Sequence, residues 1–326
     1  FDISKREWSD GIIREAGLDR GKLPDAVPST TTVGKVLKAA AEITGLPEGL
    51  PVVAGGGDGP CATVGAGASE SGKCYSVYGT SAWNSVTTSE PLYDRERRTF
   101  ILHHLDKELY IVVGSMQQAG GSFEWLEGWA GGAERLKAGE TGLSSFELLS
   151  REAEKASPGS EGALFLPYLM GERSPHWNPK AKGAFVGLTV RHTRADMIRA
   201  VLEGVTMNLR IILDAFRGQD AEIEAMRVIG GGARARFWNQ IMADIYGLPV
   251  QRLAVLEEAT SMGAALAGGV AVGLYPDFEM ALAMNPVVEV IEPDAEATRV
   301  YEDLYPVFCE SYEALVPVYD HLDAVT

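Results

Sequence analysis

Asp58 stands inside Gly55-Gly56-Gly57-Asp58-Gly59, directly after the apolar run Pro51-Val52-Val53-Ala54. Glycines around a carboxylate at a strand end let a substrate approach the backbone closely. Such a carboxylate can accept a hydroxyl proton as the general base of phosphoryl transfer. The same composition also makes plain turns. Three other glycine junctions accompany it. Tyr78-Gly79-Thr80-Ser81 can simply turn the chain, or can wrap a phosphate with two or three amides and a hydroxyl. Gly230-Gly231-Gly232-Ala233 falls between a strand and a helix, where triple glycine permits flat contact with a nucleoside or aims a helix N-terminus at phosphate. It is not a G-x-G-x-x-G fingerprint, so a dinucleotide fold has no direct support. Gln117-Gln118-Ala119-Gly120-Gly121-Ser122 precedes the helix that carries Trp125. Three junctions of this kind exceed what turns require.

Other motifs point away from chemistry. Gly67 to Cys74 nearly matches the phosphate-loop pattern G-x-x-x-x-G-K-[ST], but Cys is a poor magnesium ligand. The residues after it read as strand, where a phosphate loop needs a helix. Phe165 to Trp177 reads as a rigid loop clamped over the core, with Glu172 and Arg173 as surface or structural ion-pair partners and His176 as a hydrogen-bonded loop residue. The histidines and cysteines show no zinc spacing, so no metal site is built from them.

These residues need elements to hold them. Helices are expected over 9–16 and 35–44, stopped by left-handed Gly17 and Gly45, then a short buried strand over 51–54 running into a glycine turn that carries Asp58. Strands over 73–78, 85–88, 99–103 and 109–113 imply an antiparallel or mixed sheet. Ser144 with Glu147 and Thr193 with Asp196 have the form of capping boxes. After the second, apolar residues from Ile198 to Phe216 recur at three-and-four spacing, which makes one buried helix face. A strand over 226–229, a helix over 235–246, a strand over 250–252 and a small-residue helix from Ala259 complete an α/β succession.

The chain has 326 residues, room for one large or two ordinary domains. Apolar residues make up 46% and charged residues 23%, an ordinary globular profile. The net charge of −16 repels phosphate backbones and anionic lipid, which argues against nucleic acid and membrane as partners. It does not exclude an anionic nucleotide, since amides and a divalent cation offset charge locally. Three scattered cysteines fit a reducing cytoplasm. The chain begins Phe1-Asp2-Ile3, with neither an initiator Met nor a signal-type region.

The order of the motifs decides among these readings. The run from Gly-Gly-Gly-Asp58 through Gly79-Thr80-Ser81, Ala119-Gly-Gly-Ser-Phe-Glu-Trp125, Leu166-Pro-Tyr-Leu-Met-Gly-Glu-Arg-Ser-Pro-His-Trp177 and Gly230-Gly-Gly-Ala-Arg-Ala-Arg-Phe-Trp-Asn-Gln240 resembles the FGGY carbohydrate kinases over nearly all of the chain. The resemblance implies an α/β, actin-like (ribonuclease H-like) ATPase fold, in which two related domains close on ATP and a sugar. It implies γ-phosphoryl transfer from ATP, with Mg2+ on its phosphates, to a hydroxyl of D-xylulose. Other acceptors within the family, such as ribulose, gluconate or glycerol, stay open, as does a non-catalytic actin-like nucleotide-binding module. By that correspondence Asp58 is the base. Gly79, Thr80 and Ser81 hold the terminal phosphates, Gly120 and Glu124 line the nucleotide cleft, Gly231 and Gly232 lie against adenosine, and Arg236 and Asn239 lie near it. The small-residue helix from Ala259 corresponds to an interdomain connecting helix. Residues 1–67 correspond to the tail of the first, sugar-binding domain and 68–326 to the second, nucleotide-binding one. The family's opening Asp-x-Gly-Thr turn has no counterpart here. The expectation is therefore a first domain supplied in cis or in trans, weak catalysis by this chain alone, and a homodimer left open.

Overall fold

The computed structural model describes residues 1–325. The elements run α1 (Asp10–Glu15), β1 (Thr32–Lys35), α2 (Lys38–Thr44), β2 (Pro51–Val53), α3 (Asp58–Gly65), β3 (Cys74–Tyr78), β4 (Ala82–Thr88), β5 (Phe100–His103), β6 (Tyr110–Met116), α4 (Gly120–Ala130), α5 (Gly132–Thr141) and α6 (Ser145–Ala153). They continue with β7 (Leu164–Leu166), β8 (Ala184–Val186), α7 (Arg194–Arg217), β9 (Met226–Ile229), α8 (Arg236–Tyr246), β10 (Val250–Leu253), α9 (Ala259–Ala271), α10 (Met280–Met284), β11 (Val287–Ile291) and α11 (Ala295–Val325).

Seven strands form one mixed sheet in the order β11-β10-β9-β3-β4-β6-β5. β10, β9 and β3 are parallel, while β4, β6 and β5 continue antiparallel from β3. Strand alternation gives the sheet two different faces. Cys74, Tyr78, Ala82, Val86, Met226 and Val228 point into the main core with α7, α8 and α11. Tyr75 and Ile229 point the other way, against Ala62 of α3, Ala66 at its C-cap and Ala259 of α9. The result is a three-layer α/β/α arrangement. α7 supplies most of one layer because its apolar stripe is continuous from Ile198 to Phe216, and it starts at the expected Thr193–Asp196 capping box. The Ser144–Glu147 box is also formed, at the start of α6.

α3 and α9 pack in unusually close contact. A Cβ on Gly65 would collide with the Ala259 carbonyl oxygen, and one on Gly263 with the Cys61 carbonyl oxygen. The small residues of α9 therefore serve backbone proximity.

Several expectations are corrected. Asp58 does not sit on a loop. It is the first residue of α3, with extended Gly57 as N-cap, where a carboxylate meets the positive end of the helix dipole. Lys35 belongs to β1 rather than to a helix, because β1 pairs antiparallel with β2. β2 is largely exposed rather than buried. β11 and α11 lie where periodicity suggested no element, and α11 runs through Pro306 and Pro317. Among the described residues no helix is long and apolar enough to cross a membrane, and no group of three or more His, Cys, Asp or Glu could hold a metal ion.

The helix contact makes a two-sided prediction. Gly263→Ala should lose ~1–3 kcal/mol of stability by overpacking. Gly268→Ala meets nothing within 4 Å in the same helix, and should gain about 0.5–1 kcal/mol from helix propensity. Urea denaturation of both variants checks this, and equal midpoints would contradict the close packing.

Candidate functional site

Adjacent parallel strands β3 and β9 end side by side, and each runs into glycine. Gly230 has φ +88°, and a Cβ there would stand 2.5 Å from the Tyr78 carbonyl oxygen. A Cβ on Gly232 would stand 2.7 Å from the Tyr78 Cβ. Only glycine lets these two backbones approach so closely. The Gly230 amide donates to the Leu256 carbonyl at 2.8 Å, which ties the turn to the loop after β10. Gly231 is exposed and Gly232 partly so. The turn thus lies beyond the carboxyl ends of parallel strands, the end at which open α/β sheets hold ligands.

On the other side of β3, Gly79 donates to the Ser81 carbonyl at 2.9 Å and closes a tight turn. The start of α4 is laced to that turn. The Ala119 and Gly121 amides donate to the Thr80 carbonyl at 2.9 and 3.0 Å, and the Gly120 amide to the Gly79 carbonyl at 3.0 Å. A Cβ on Gly120 would stand 2.5 Å from that Gly79 oxygen. The first amides of α4 are engaged with the turn, so α4 contributes its dipole and rigidity rather than free donors. Gly79 and Thr80 are exposed, and their hydroxyl-bearing segment is the part open to a ligand. Glu124 is exposed one helical turn beyond Gly120, on the same side of α4.

Asp58 is exposed and accepts from the Gly59 amide at 2.8 Å. Among the described residues it makes no ion pair. Its turn is anchored from below. The Gly59 carbonyl accepts from Thr63 Oγ1 at 2.9 Å and from Tyr75 Oη at 3.3 Å, and Trp83 Nε1 donates to Tyr75 Oη at 3.1 Å. Tyr75 is on β3 and Trp83 on β4. The helix that presents Asp58 is thus fixed to both arms of the hairpin whose tip is Thr80.

Two sequence candidates act differently from the rest. Asn239 is buried, and its Nδ2 donates to the Ala233 carbonyl at 2.8 Å, so it shapes the turn at Gly231–Arg234 from behind. Arg236 is exposed and pairs with Glu289 at 2.8 Å, which Arg252 also contacts at 2.9 Å. The near-match at 67–74 lies at the opposite end of β3 from Gly79, with Cys74 buried in the strand and its thiol pushed up by burial.

Glu172 is the residue that sequence reasoning misjudged. It is not a surface or ion-pair carboxylate. It is buried and accepts from the Gln117 amide at 2.7 Å, the Arg173 amide at 2.8 Å and Asn208 Nδ2 at 3.1 Å. Burial pushes its carboxyl up to about 7. The available signal was its place in an aromatic and proline-rich run beside Gly171, which has φ +69°. His176 is the hydrogen-bonded loop residue expected, with Nε2 2.9 Å from Tyr168 Oη.

Comparison with known proteins accords with this geometry. Residues 74–272 match the C-terminal domain of the FGGY family of carbohydrate kinases, and residues 1–65 match the N-terminal domain of that family. A xylulose kinase of Staphylococcus epidermidis is 34% identical over 317 residues, covering 96% of this chain and 61% of the relative. A gluconokinase of Bacillus licheniformis is 30% identical over 323 residues, covering 99% of this chain and 63% of the relative. The crystal structure of a ligand-bound xylulose kinase from Lactobacillus acidophilus superposes with a TM-score of 0.89 at 26% identity, covering 97% of this chain and 62% of that one. The chain spans about three fifths of the length of the curated relatives it matches. Its mixed α/β sheet is that of the actin-like, ribonuclease H-like ATPase domains. With the family's C-terminal domain covering 199 residues (74 to 272) of the 326, the chain belongs to the FGGY family of carbohydrate kinases.

Proposed function

We propose that this chain is the base-bearing and nucleotide-binding part of a cytoplasmic sugar kinase that transfers the γ-phosphoryl group of ATP to a hydroxyl of D-xylulose. The observation that carries the reading is the meeting of two glycine turns at the ends of β3 and β9, with an unpaired carboxylate anchored to the same β3–β4 hairpin. Residues 1–67 are assigned to the sugar-binding domain and 68–326 to the nucleotide-binding domain, in accord with the two family matches.

In this reading Gly79, Thr80 and Ser81 face the terminal phosphates, Gly120 and Glu124 border them, and Gly231 and Gly232 lie flat against adenosine. Asn239 holds the last turn from behind, and Arg236, paired with Glu289, lies near it. Magnesium arrives as Mg·ATP, held mainly by phosphates and water, as its preferred octahedral geometry favours. Asp58 accepts the hydroxyl proton as the sugar oxygen attacks phosphorus. Because it makes no ion pair among the described residues, its lone pairs are available to a donor hydroxyl. Positioning and electrostatics do the remainder, as in phosphoryl transfer generally.

A gluconate acceptor is the second reading, favoured by the gluconokinase relative and by a gluconate kinase structure from Lactobacillus acidophilus that superposes with a TM-score of 0.88. An acceptor panel with the complete enzyme separates the two: preference for D-xylulose supports the first reading and preference for gluconate the second.

Two substitutions test the assignment of roles. Asp58→Asn in the complete enzyme should lower kcat by at least ~10²-fold with little change in KM for ATP, as expected for loss of a general base. Near-normal turnover would remove Asp58 from the mechanism, and ATP binding without turnover in the unaltered protein would favour a non-catalytic module. Gly120→Ala places a methyl against the Gly79 carbonyl, and should weaken Mg·ADP binding about tenfold or more by displacing the phosphate turn. Calorimetry showing unchanged affinity would separate that turn from nucleotide binding.

A further inference from the structure

We propose that Glu172 is a positioning residue for the phosphate-side turn, holding it through the Gln117 amide and linking its order to proton binding. The proposal rests on the nucleotide reading of that turn. Gln117 is the first residue after β6, and three residues later the Gly120 amide holds the Gly79 carbonyl. Anything that fixes Gln117 therefore fixes the approach of α4 to the Gly79–Ser81 turn. One Glu172 oxygen takes the Gln117 and Arg173 amides, and the other takes Asn208 Nδ2 from α7. The neighbouring Gln118 side chain contacts Met170 Sδ at 2.6 Å, so the loop around Glu172 grips both glutamines.

The loop itself is held firmly. Tyr168 Oη donates to Asn208 Oδ1 at 3.1 Å, and His176, its other partner, stacks on Tyr312 of α11 with ring centroids 3.6 Å apart. The groups facing Glu172 are Arg173 on its own loop, Tyr168, Tyr312 from α11, uncharged Asn208 from α7, and the uncharged end of β6. His176, beyond Tyr168, is kept neutral by burial, which lowers it to about 4. Among the described residues Arg173 is the cation that acts on Glu172, and three hydrogen-bond donors do the remaining work of stabilising the carboxylate.

The Gln117 bond favours the charged form, so by linkage the charged form favours the Gln117 bond. The turn tightens as pH rises through about 7 and loosens below it. Global stability moves in the opposite direction. The carboxyl is raised above its ordinary value of 4.5, so its contribution is full below that value and is lost as pH climbs through about 7. The readout that a purely structural role would not move is the pH dependence of Mg·ADP affinity.

The test is hydrogen exchange of residues 115–122, corrected for intrinsic rates, at about pH 6 and about pH 8, alongside calorimetry with Mg·ADP. The wild-type chain should show roughly tenfold more protection of this segment, and tighter Mg·ADP binding, at the higher pH, a change of the size expected for one charge-assisted hydrogen bond. Glu172→Gln should abolish both pH dependences and leave exchange in the middle of α7 unchanged. Asn208→Ala removes a donor to the carboxylate and should move the wild-type midpoint to higher pH, which also serves if Glu172→Gln fails to fold. Identical exchange in wild type and Glu172→Gln would overturn the proposal, as would altered exchange with equal Mg·ADP affinity at both pH values. Absence of Mg·ADP binding in every variant at every pH, with exchange still differing, would instead overturn the nucleotide reading, and the proposal with it.

Discussion

Backbone crowding at the carboxyl end of β3 is the constraint on which the rest of the structure depends. Tyr78 is approached from one side by Gly230 and Gly232, and Gly79 from the other by Gly120, each so closely that a single methyl would collide. Contacts between backbones cannot be relieved by a rotamer change. The strands, the start of α4 and the turn before α8 must therefore be held to within a few tenths of an ångström. That requirement explains the large buried layer of α7 and α8 beneath the sheet, and the buried Asn239 that pins the Ala233 carbonyl. On the opposite face the same economy of space recurs where Gly65 and Gly263 bring α3 against α9. Asp58 inherits its position from that second contact and from Tyr75.

The nucleotide reading requires an acidic chain to handle a polyanion, and that requirement needs an explanation in these terms. The net charge is −16, and the arginines at and just after the Gly230–Gly232 turn, Arg234 and Arg236, are paired with Glu257 and Glu289. Favourable potential for phosphate must then come from oriented peptide dipoles and from the cation that accompanies the nucleotide. Oriented dipoles act at short range, which makes geometry more important here than charge count. The proposed site would then owe its shape to packing well below the surface.

Much of this arrangement was legible in the sequence because it is written in glycine. Gly79, Gly120, Gly231 and Gly232 stand out where strand and helix signals meet, and the apolar stripe of α7 together with its capping box predicts the main core helix. Three things were not legible, for physical reasons. The helical start at Asp58 is hidden because glycines on both sides depress helix propensity, while packing on α9 and the sheet stabilises α3 regardless. α11 is hidden because Pro306 and Pro317 read as breakers, although burial of Tyr301, Phe308, Tyr312 and Tyr319 keeps one long helix. Glu172 is hidden because a charged residue beside an arginine looks like an ion pair. Only the fold reveals that its partners are the Gln117 amide and Asn208 on distant segments.

The central claim, that the paired glycine turns at the ends of β3 and β9 hold the nucleotide, is most directly tested by NMR titration of the isotope-labelled chain with Mg·ADP. The account predicts saturable shifts concentrated at the amides of Gly79, Thr80, Ser81, Gly120, Gly231 and Gly232. Shifts centred instead on Gly72 and Lys73, at the other end of β3, would contradict it.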